Sequence, residues 1–437
     1  MVLIVGMARS GVAAARLLHH RGIPVFVTDS GEPPLRRELD TLGIPYETGG
    51  HTVSRFVEAD EIVMSPGVPL DIPPLRPARQ KGVPIVSEIE VAFRMIQGDV
   101  VAITGSNGKT TTTTLIGEVL AATGRPVQVG GNIGTAMSTL VESSTAESIN
   151  VVEVSSFQLD GIQTFRPNIA VLLNITPDHL DRYRDFNAYR ASKFRIFENQ
   201  ASSDVAVMNM DDPQVYPPLG DIQARQSYFS QRQMVSDGGY RADDTLYLDG
   251  LAVMSAGDVA LRGRHNIDNV LAAIVTGGRY GISSDAMAET IRKFRGVEHR
   301  IEYVATLRGI DFFNDSKATN VDSAIKAVES FPANIIIILG GKDKGASYAP
   351  LVDAMAHRVK HVLLIGAASD KIAAAIGETF PSSRVSSMED AVRLGLEIGR
   401  SGDTVLLSPA CASFDMYDNY EHRGKVFKEA VLACQKN

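Results

Sequence analysis

The chain has 437 residues, of which 44% are hydrophobic and 22% are charged, a composition typical of globular proteins with more than one domain. Its formal net charge of -8 argues against nucleic-acid binding as the main function. The two cysteines, Cys411 and Cys434, predict neither a disulfide framework nor a zinc site. The sequence shows no signal peptide and no long apolar run, so we expect a cytoplasmic protein that spans no membrane.

A buried strand followed by a glycine turn opens the chain. Residues 2–6 read as a parallel strand, Gly6–Gly11 as a turn into a helix, and Val25–Asp29 as a second strand that ends in an acid. This spacing is typical of a dinucleotide-binding unit, but the GxGxxG pattern is incomplete, which favours a Rossmann-like domain without NAD. We expect this doubly wound domain at residues 1–92. Its turn at Ser65–Val68 ends a strand, where such sheets bind ligands.

The next segment, TGSNGKTT, has the pattern of a phosphate-binding loop between a strand and a helix. Gly105 and Gly108 allow backbone N–H groups to converge on an anion, and Lys109 supplies a charge for the β- and γ-phosphates. Thr110 offers a hydroxyl to Mg²⁺. Ile103 stands where the usual first glycine would be, so the loop is a shortened variant. The sequence therefore predicts a nucleoside triphosphate site.

Polar residues follow several strands of this second domain. The sequence predicts a strand over Asn150–Leu159 with Glu153 inside it, where a carboxylate needs a partner. His179 follows the next strand, and Lys193 lies in a helical stretch. Parallel strands present their carboxyl ends at one edge of a sheet, so we expect Thr110, Glu153, His179 and Lys193 there. Oxygen atoms with one imidazole are plausible ligands for Mg²⁺.

The remainder of this domain, which we place at residues 93–297, is less informative. Residues 225–262 are polar and strand-like, and we interpret them as a small antiparallel excursion. Residues 263–277 then form a helix with Asn266 and Asn269 on one face. These two amides either cap the helix or contact a base or ribose.

The third domain, at residues 298–437, alternates strands and helices in another α/β sheet. Chemically rich loops lie at the ends of its strands. They are NDSKATN at 314–320, GGKDKG at 340–345 and SPACASFDMYDNYEHRG at 408–424. Lys317, Lys342 and Lys344 could neutralise phosphates or carboxylates, or they could simply be solvated. We interpret Cys411 as a buried structural thiol.

The order of these motifs resembles the Mur ligase family over essentially the whole chain. The motifs are TGSNGKTT, GGNIG, EVSSFQL, NITPDHLDRY, RASKFRIFEN, HNIDN, HR, NDSKATN, GGKDKG and SPACASFD. SSFQL and NDSKATN are similar to the D-glutamate-adding member, and the sequence lacks the DNPR-type motif of the member that adds diaminopimelate or lysine. The resemblance implies three α/β domains: an N-terminal Rossmann-like domain for a UDP-sugar, a central P-loop mononucleotide-binding sheet for ATP, and a C-terminal Rossmann-like domain for the amino acid.

The resemblance also implies an activity. It is the ATP-dependent addition of D-glutamate to UDP-N-acetylmuramoyl-L-alanine through an acyl phosphate, in peptidoglycan precursor synthesis, by a cytoplasmic monomer. By position, Lys109 would hold the transferring γ-phosphate, Thr110 and Glu153 would bind one Mg²⁺, and His179 a second. Lys193 matches the carbamylated lysine of the family and would assist the metal site. The catalytic set implied is Lys109, His179 and Lys193.

The binding residues implied by the resemblance fall into three sets. The ATP contacts are Gly105, Ser106, Asn107, Gly108, Lys109, Thr110, Thr111, Asn266, Asn269, Arg300 and Asp315. The UDP-sugar contacts are Ser10, Asp29, Ser30, Ser65, Gly67, Asn132, Ser155 and His179. The D-glutamate contacts are Lys317, Thr319, Lys344, Ser413, Phe414 and Tyr420, with Lys342 as a competitor of Lys344.

Three alternatives stay open on the sequence alone. A related amide ligase would add a different amino acid or act on folate. A nucleotide-driven switch or motor would hydrolyse ATP without an acyl acceptor. A nicotinamide oxidoreductase would use the N-terminal glycine turn and would bind NAD.

Overall fold

The computed structural model of the protein describes residues 1–33, 35–178, 182–261 and 263–435. The strands of these residues form three sheets, of five, nine and six strands. Two compact units result, one of Met1–Asp258 with Asp268–Arg292 and one of Val259–Ile267 with Lys293–Asn437. The first unit holds the first two sheets and the second unit holds the third. Within the described residues, no helix is both long and apolar enough to cross a membrane.

The first sheet is entirely parallel and has the strand order β3-β2-β1-β4-β5. Its strands are β1 (Val2–Val5), β2 (Val25–Thr28), β3 (Tyr46–Glu47), β4 (Glu61–Met64) and β5 (Ile85–Ser87), and its helices are α1 (Arg9–His20), α2 (Arg36–Leu42), α3 (Val53–Glu58), α4 (Leu75–Lys81) and α5 (Glu88–Phe93). Separate apolar clusters on the two faces of the sheet explain why β1 and β2 are hydrophobic throughout. The order reverses between β1 and β4, where such sheets bind ligands.

The second sheet is the largest, with the order β14-β13-β12-β11-β10-β9-β6-β8-β7. Its strands are β6 (Asp99–Thr104), β7 (Val127–Gly131), β8 (Ile149–Glu153), β9 (Ile169–Leu172), β10 (Val205–Asn209), β11 (Arg225–Ser230), β12 (Gly238–Ala242), β13 (Thr245–Leu248) and β14 (Leu251–Ser255). The helices that follow in this part are α6 (Lys109–Leu120), α7 (Met137–Leu140), α8 (Ser156–Leu159), α9 (Phe186–Phe194), α10 (His265–Arg279) and α11 (Ser284–Lys293). The stretch predicted as a separate antiparallel excursion instead extends this sheet. Its β11 and β12 pair in parallel, and only β12, β13 and β14 pair antiparallel.

The predicted strand over Asn150–Leu159 is wrong in its second half. β8 ends at Glu153, and α8 begins three residues later, at Ser156. Ser155 and Gln158 form a capping box, in which each side chain bonds the backbone N–H of the other. This local pair outweighs the apolar pattern and starts a helix. Glu153 therefore lies at the end of its strand, beside the phosphate loop.

The third sheet has the order β15-β16-β20-β17-β18-β19. Its strands are β15 (Glu302–Leu307), β16 (Ile310–Asn314), β17 (Ile335–Gly340), β18 (Val359–Ile365), β19 (Ser382–Arg384) and β20 (Thr404–Leu407), and its helices are α12 (Val321–Glu329), α13 (Ala349–Met355), α14 (Ser369–Ile376), α15 (Met388–Ile398) and α16 (Tyr420–Gln435). All neighbours are parallel except β15, which pairs antiparallel with β16 at the edge. Buried clusters line both faces.

Helix α5 joins the first sheet to the second. Ile89 of α5 packs into the same apolar cluster as the second sheet. Glu90 accepts hydrogen bonds from the N–H groups of Gln163, Thr164 and Phe165, at 2.9–3.0 Å. Burial opposes the ionisation of Glu90, but these bonds and that of Arg94 outweigh it, so its pKa is lowered.

Replacing Glu90 tests this junction. Glu90→Ala leaves three backbone donors without their carboxylate, and we expect a loss of about 3 kcal/mol in the free energy of unfolding, measured by urea denaturation at pH 7. Because the folded pKa is lowered, the stabilisation by Glu90 is present above the unfolded pKa and is lost as the pH falls. The exposed Glu58→Ala is the control. Equal stability of Glu90→Ala and the wild type would contradict this account.

Candidate functional site

The phosphate loop joins β6 to α6 at the centre of the second sheet. Gly105 and Gly108 have φ angles of +154° and +84°, which residues other than glycine rarely adopt. A Cβ on Gly108 would overlap Oδ1 of Asn269, which itself accepts a hydrogen bond from Thr112. Glycine is therefore required at residue 108, and α10 is fastened to the phosphate helix there.

Two lysine side chains meet on this loop. Nζ of Lys109 donates to the carbonyl oxygens of Gly105 and Ser106, at 2.8 and 2.9 Å. Nζ of Lys193, from α9, donates to the same Gly105 oxygen at 2.8 Å. Lys193 is only 2% exposed, and burial, with the neighbouring charge of Lys109, lowers its pKa well below the usual value. The loop thus holds one cationic lysine beside one that readily becomes neutral.

Glu153 lies between the phosphate helix and the loop after β7. Its carboxylate accepts a hydrogen bond from the Thr110 hydroxyl at 2.7 Å and one from Nδ2 of Asn132 at 3.0 Å. The N–H of Asn132 also bonds the Glu153 carbonyl at 2.8 Å. The partner that the sequence required for this buried carboxylate is therefore present, and Thr110, Glu153 and Lys193 lie around one loop.

Further polar side chains support the loop. The Ser106 hydroxyl lies 3.0 Å from the Tyr189 hydroxyl, and the Asn107 N–H donates to Asn174 at 2.8 Å. Tyr189, on α9 with Lys193, is buried and was missed by the sequence analysis. Its position one turn before Lys193 could have indicated it. Thr111 lies inside the first turn of α6 and is buried.

A cavity of about 500 Å³ opens at the carboxyl ends of the first sheet. Among its lining residues are six of the predicted UDP-sugar contacts, namely Ser10, Asp29, Ser30, Ser65, Gly67 and Asn132. Asn132 comes from the second sheet, so the cavity reaches the residues around Glu153. Ser155 instead caps α8, and His179 lies outside the described residues. The cavity also contains His51, which the sequence analysis did not consider.

In the second unit, Asp315 follows β16 and is fully buried. It accepts hydrogen bonds from the Ser408 hydroxyl at 2.9 Å and from the Ile301 N–H at 3.2 Å. Burial raises its pKa to about 6, although the nearby Arg300 guanidinium opposes the shift. Arg300 and Asp315, two of the predicted ATP contacts, therefore interact electrostatically with one another.

The other two predicted ATP contacts, Asn266 and Asn269, lie on α10, and both are buried.

The predicted D-glutamate contacts lie on three loops of the same unit. Nζ of Lys344 lies 3.5 Å from the Thr319 hydroxyl, and Nζ of Lys317 lies 5.4 Å from the centre of the Tyr420 ring. Ser413 is buried, whereas Phe414 is 68% exposed. Lys342 pairs through its backbone with Ala412, so its loop is tied to the loop that carries Ser413.

Arg423, on α16, is a buried cation that the sequence analysis missed. Its guanidinium donates to the Ser316 carbonyl at 2.8 Å and to the Cys411 carbonyl at 3.2 Å. Burial lowers its pKa to about 10. It therefore fastens together the loop of Lys317 and the loop of Ser413. A basic residue within an amphipathic helix gives no sequence signal that distinguishes it from a solvated one.

The fold and the phosphate loop define a nucleotide-binding α/β protein. Comparison with known families shows to which family of such proteins the chain belongs. The family profile of the Mur ligase MurD-like N-terminal domain matches residues 1–87. The Mur ligase middle domain matches residues 103–277, and the Mur ligase glutamate ligase domain matches residues 299–411.

Curated relatives match nearly the full chain. The chain is 45% identical to the UDP-N-acetylmuramoylalanine--D-glutamate ligase of Koribacter versatilis, over 98% of this chain and 96% of that protein. It is 47% identical to the ligase of the same name from Geotalea uraniireducens, with the same coverage. The chain belongs to the Mur ligase family.

Solved structures support the fold. UDP-N-acetylmuramate-alanine ligase MurC from Thermotoga maritima covers 99% of both chains with a TM-score of 0.65 and 20% identity. MurF ligase from the same organism, solved with ADP, covers 94% of this chain and 96% of its own, with a TM-score of 0.63 and 16% identity. At these identities the likeness shows the fold alone.

Because the pKa of Asp315 is raised in the folded protein, we expect replacement of its carboxyl group by an amide to stabilise the fold. The folded pKa of about 6 lies above the ordinary value of 3.8, so the cost of ionising Asp315 in the folded protein grows as the pH rises from about 4 and is complete above about pH 6. We therefore expect Asp315→Asn to increase the free energy of unfolding at pH 8 by up to about 3 kcal/mol, and so to raise the melting temperature. This gain should shrink towards pH 4. The same variant should raise the KM for ATP.

Differential scanning calorimetry at several pH values checks this expectation, with the exposed Asp353→Asn on α13 as the control. A melting temperature of Asp315→Asn at or below that of the wild type at pH 8 would show that the carboxylate stabilises the fold instead.

Proposed function

We propose that this protein is an ATP-dependent ligase that adds D-glutamate to UDP-N-acetylmuramoyl-L-alanine in peptidoglycan precursor synthesis. The observation that carries the proposal is the phosphate loop on which Lys109 and Lys193 converge, beside Glu153 and Thr110. The names of the relatives identify the substrates, and the sequence similarity covers almost the whole chain. We further propose a cytoplasmic location and a monomeric state.

The first step is phosphoryl transfer. The substrate carboxylate attacks the γ-phosphorus of ATP, a carboxylate oxygen–phosphorus bond forms, and the bond to ADP breaks. In place of its present carbonyl partners, Lys109 takes the γ-phosphate oxygens and neutralises the charge that develops on them. Positioning and charge neutralisation carry the rate, since this step needs no covalent nucleophile from the protein.

The second step is amide formation. The amino nitrogen of D-glutamate attacks the acyl carbon, a carbon–nitrogen bond forms with loss of a proton from nitrogen, and the carbon–oxygen bond to phosphate breaks. We assign Lys344, Thr319 and Ser413 to the two carboxylates of D-glutamate, with Lys317 beside them. Cations and hydroxyls are the groups that bind carboxylates best. Phe414 and Tyr420 would form the wall of this pocket.

The residues around the loop fit Mg²⁺ bound to nucleotide phosphates. Thr110 and Glu153 offer a hydroxyl and a carboxylate 2.7 Å apart, both hard oxygen donors of the kind this ion prefers. When bound, Mg²⁺ would neutralise charge on the nucleotide phosphates. Thr110 and Glu153 would hold one such ion. We assign a second to His179 and Lys193.

The surroundings of Lys193 favour its carbamylation. Burial and the charge of Lys109 lower the pKa of the amine, which favours its neutral, nucleophilic form. Its nitrogen would add to the carbon of CO₂ and lose a proton, which gives a carbamate anion. The carbamate would place a negative charge next to the Lys109 ammonium group at Gly105.

Product formation tests the function directly. Purified protein with Mg²⁺, ATP, UDP-N-acetylmuramoyl-L-alanine and D-glutamate should form the amide, ADP and phosphate, detected by mass spectrometry and phosphate release. Lys109→Ala should lower the rate at least a hundredfold, because it removes the charge that neutralises the transferring phosphate. The exposed Lys81→Ala is the matched control.

A panel of other amino acids and NAD distinguishes the alternatives. Stimulation by an amino acid other than D-glutamate, ATP hydrolysis without any acceptor, or NAD binding would each reject this assignment.

Lys193 gives a second test of the chemistry. Lys193→Ala should lose activity because the carbamate that would assist the metal site cannot form. Short carboxylates such as acetate or formate, added at high concentration, should restore part of the rate by occupying the space of the carbamate. Lys81→Ala should show neither the loss nor the rescue. Full activity of Lys193→Ala would remove this lysine from the mechanism.

A further inference from the structure

The loop that follows β3 brings His51 beside Asp29 and Ser30, two of the predicted UDP-sugar contacts. The N–H of Gly49 donates to the Gly31 carbonyl at 3.1 Å, and that of Gly50 to the Asp29 carbonyl at 3.4 Å. These bonds fold the loop onto the segment that carries Asp29 and Ser30. The His51 ring packs edge-on against the buried Phe56, with 5.7 Å between the ring centres. His51 is therefore a fixed part of the cavity wall.

A hydrogen-bond relay decides which ring nitrogen of His51 carries the proton. Nδ1 lies 2.7 Å from the hydroxyl oxygen of Thr28, and that hydroxyl donates to the Glu47 carboxylate at 2.9 Å. Burial opposes ionisation of Glu47, but the hydrogen bonds from Thr52 and Thr28 outweigh it and lower its pKa, so this carboxylate can only accept. The Thr28 hydroxyl has a single hydrogen, and it donates this hydrogen to the bond with Glu47.

It follows that Nδ1 of His51 must be the donor to Thr28, which leaves the lone pair of the neutral ring on Nε2. Among the described residues, Nε2 has no hydrogen-bond partner. His51, which lines the cavity, thus carries a hydrogen-bond acceptor of fixed identity, although a histidine on the protein surface could present either a donor or an acceptor.

The topology indicates which part of a UDP-sugar reaches this acceptor. β3 is one edge of the first sheet, and the second sheet attaches at the other edge, where the Ser87 N–H bonds the Gly161 carbonyl at 2.9 Å. Within the cavity, Asn132 adjoins Glu153 and the reacting centre, and His51 belongs to the edge strand. The reacting carboxylate is at one end of the substrate and the uracil base at the other, so the base belongs at the His51 end.

We propose that His51 selects uracil by accepting the N3–H of the base through Nε2. The inference rests on the proposed function, since it requires a UDP-linked substrate. Uracil carries a hydrogen on N3, whereas cytosine carries a lone pair there, which would face the lone pair of Nε2. A single well-placed acceptor of this kind discriminates between bases because a mismatch leaves both groups unpaired.

The test compares UDP with N3-methyl-UDP, which lacks the N3–H. Isothermal titration calorimetry is done on the full chain with saturating MgADP, so that the phosphate loop is occupied. The wild type should bind UDP about tenfold more tightly than N3-methyl-UDP, as expected for one buried hydrogen bond. His51→Ala and His51→Phe should bind both ligands equally, with UDP weakened about tenfold. The second variant keeps the ring packing on Phe56 but has no nitrogen.

Thr28→Val and His19→Ala complete the design. Thr28→Val removes the acceptor that fixes the ring proton, so the preference for UDP should fall to an intermediate value. His19→Ala changes an exposed histidine of α1 and should keep the full preference. An unchanged preference in both His51 variants, or equal binding of the two ligands by the wild type, would overturn the role of His51. Failure of the wild type to bind UDP at all would overturn the proposed function as well.

Discussion

One carbonyl oxygen, that of Gly105, accepts hydrogen bonds from two lysine ammonium groups, and the arrangement of the site depends on it. Lys109 and Lys193 both lie 2.8 Å from this oxygen. Two ammonium groups this close in a buried site repel each other unless an anion binds between them or one of them loses its proton. A bound triphosphate would supply the anion, and the lowered pKa of Lys193 favours the loss of its proton. The loop is therefore suited to receive an anionic ligand.

Glu153 connects this loop with the cavity of the first sheet. Its carboxylate holds the Thr110 hydroxyl on α6, and it also holds the Asn132 side chain, which lines the cavity. Two hydrogen bonds to one carboxylate thus connect the phosphate helix with the wall of the cavity. Helix α5 keeps the two sheets in register, because the Glu90 carboxylate binds three backbone donors of the second sheet's 163–165 turn. The cavity and the phosphate loop consequently belong to one compact unit.

Most of the fold could be predicted from the sequence because buried parallel strands are continuous apolar runs. The predicted strands at residues 2–6 and Val25–Asp29 are confirmed as β1 and β2, each of which ends one residue earlier. The errors occur where a local signal competes with hydrophobicity, as in the capping box of Ser155, or where polar strands pair at an edge, as in residues 225–262. For the site, charged residues in loops gave a signal, and so did the position of Tyr189 one turn before Lys193, whereas Arg423 and His51 gave none. The roles of these last three residues depend on partners distant in sequence, such as Ser106 and Thr28.

The second unit buries two charged side chains, Arg423 and Asp315, whose burial costs free energy of folding. Burying a guanidinium costs free energy unless its donors are satisfied, and Arg423 satisfies several with carbonyl and hydroxyl oxygens of two loops. An apolar residue of similar volume would fill the space, but it would leave the Ser316 and Cys411 carbonyls without this donor. The loops of Lys317 and Ser413 would then lose their common anchor. Asp315 imposes a similar cost, since its pKa of about 6 records the preference of the fold for a neutral group. Charged groups retained at such expense, next to loops rich in lysine and hydroxyl groups, are best explained by the need to hold polar ligands in a fixed geometry.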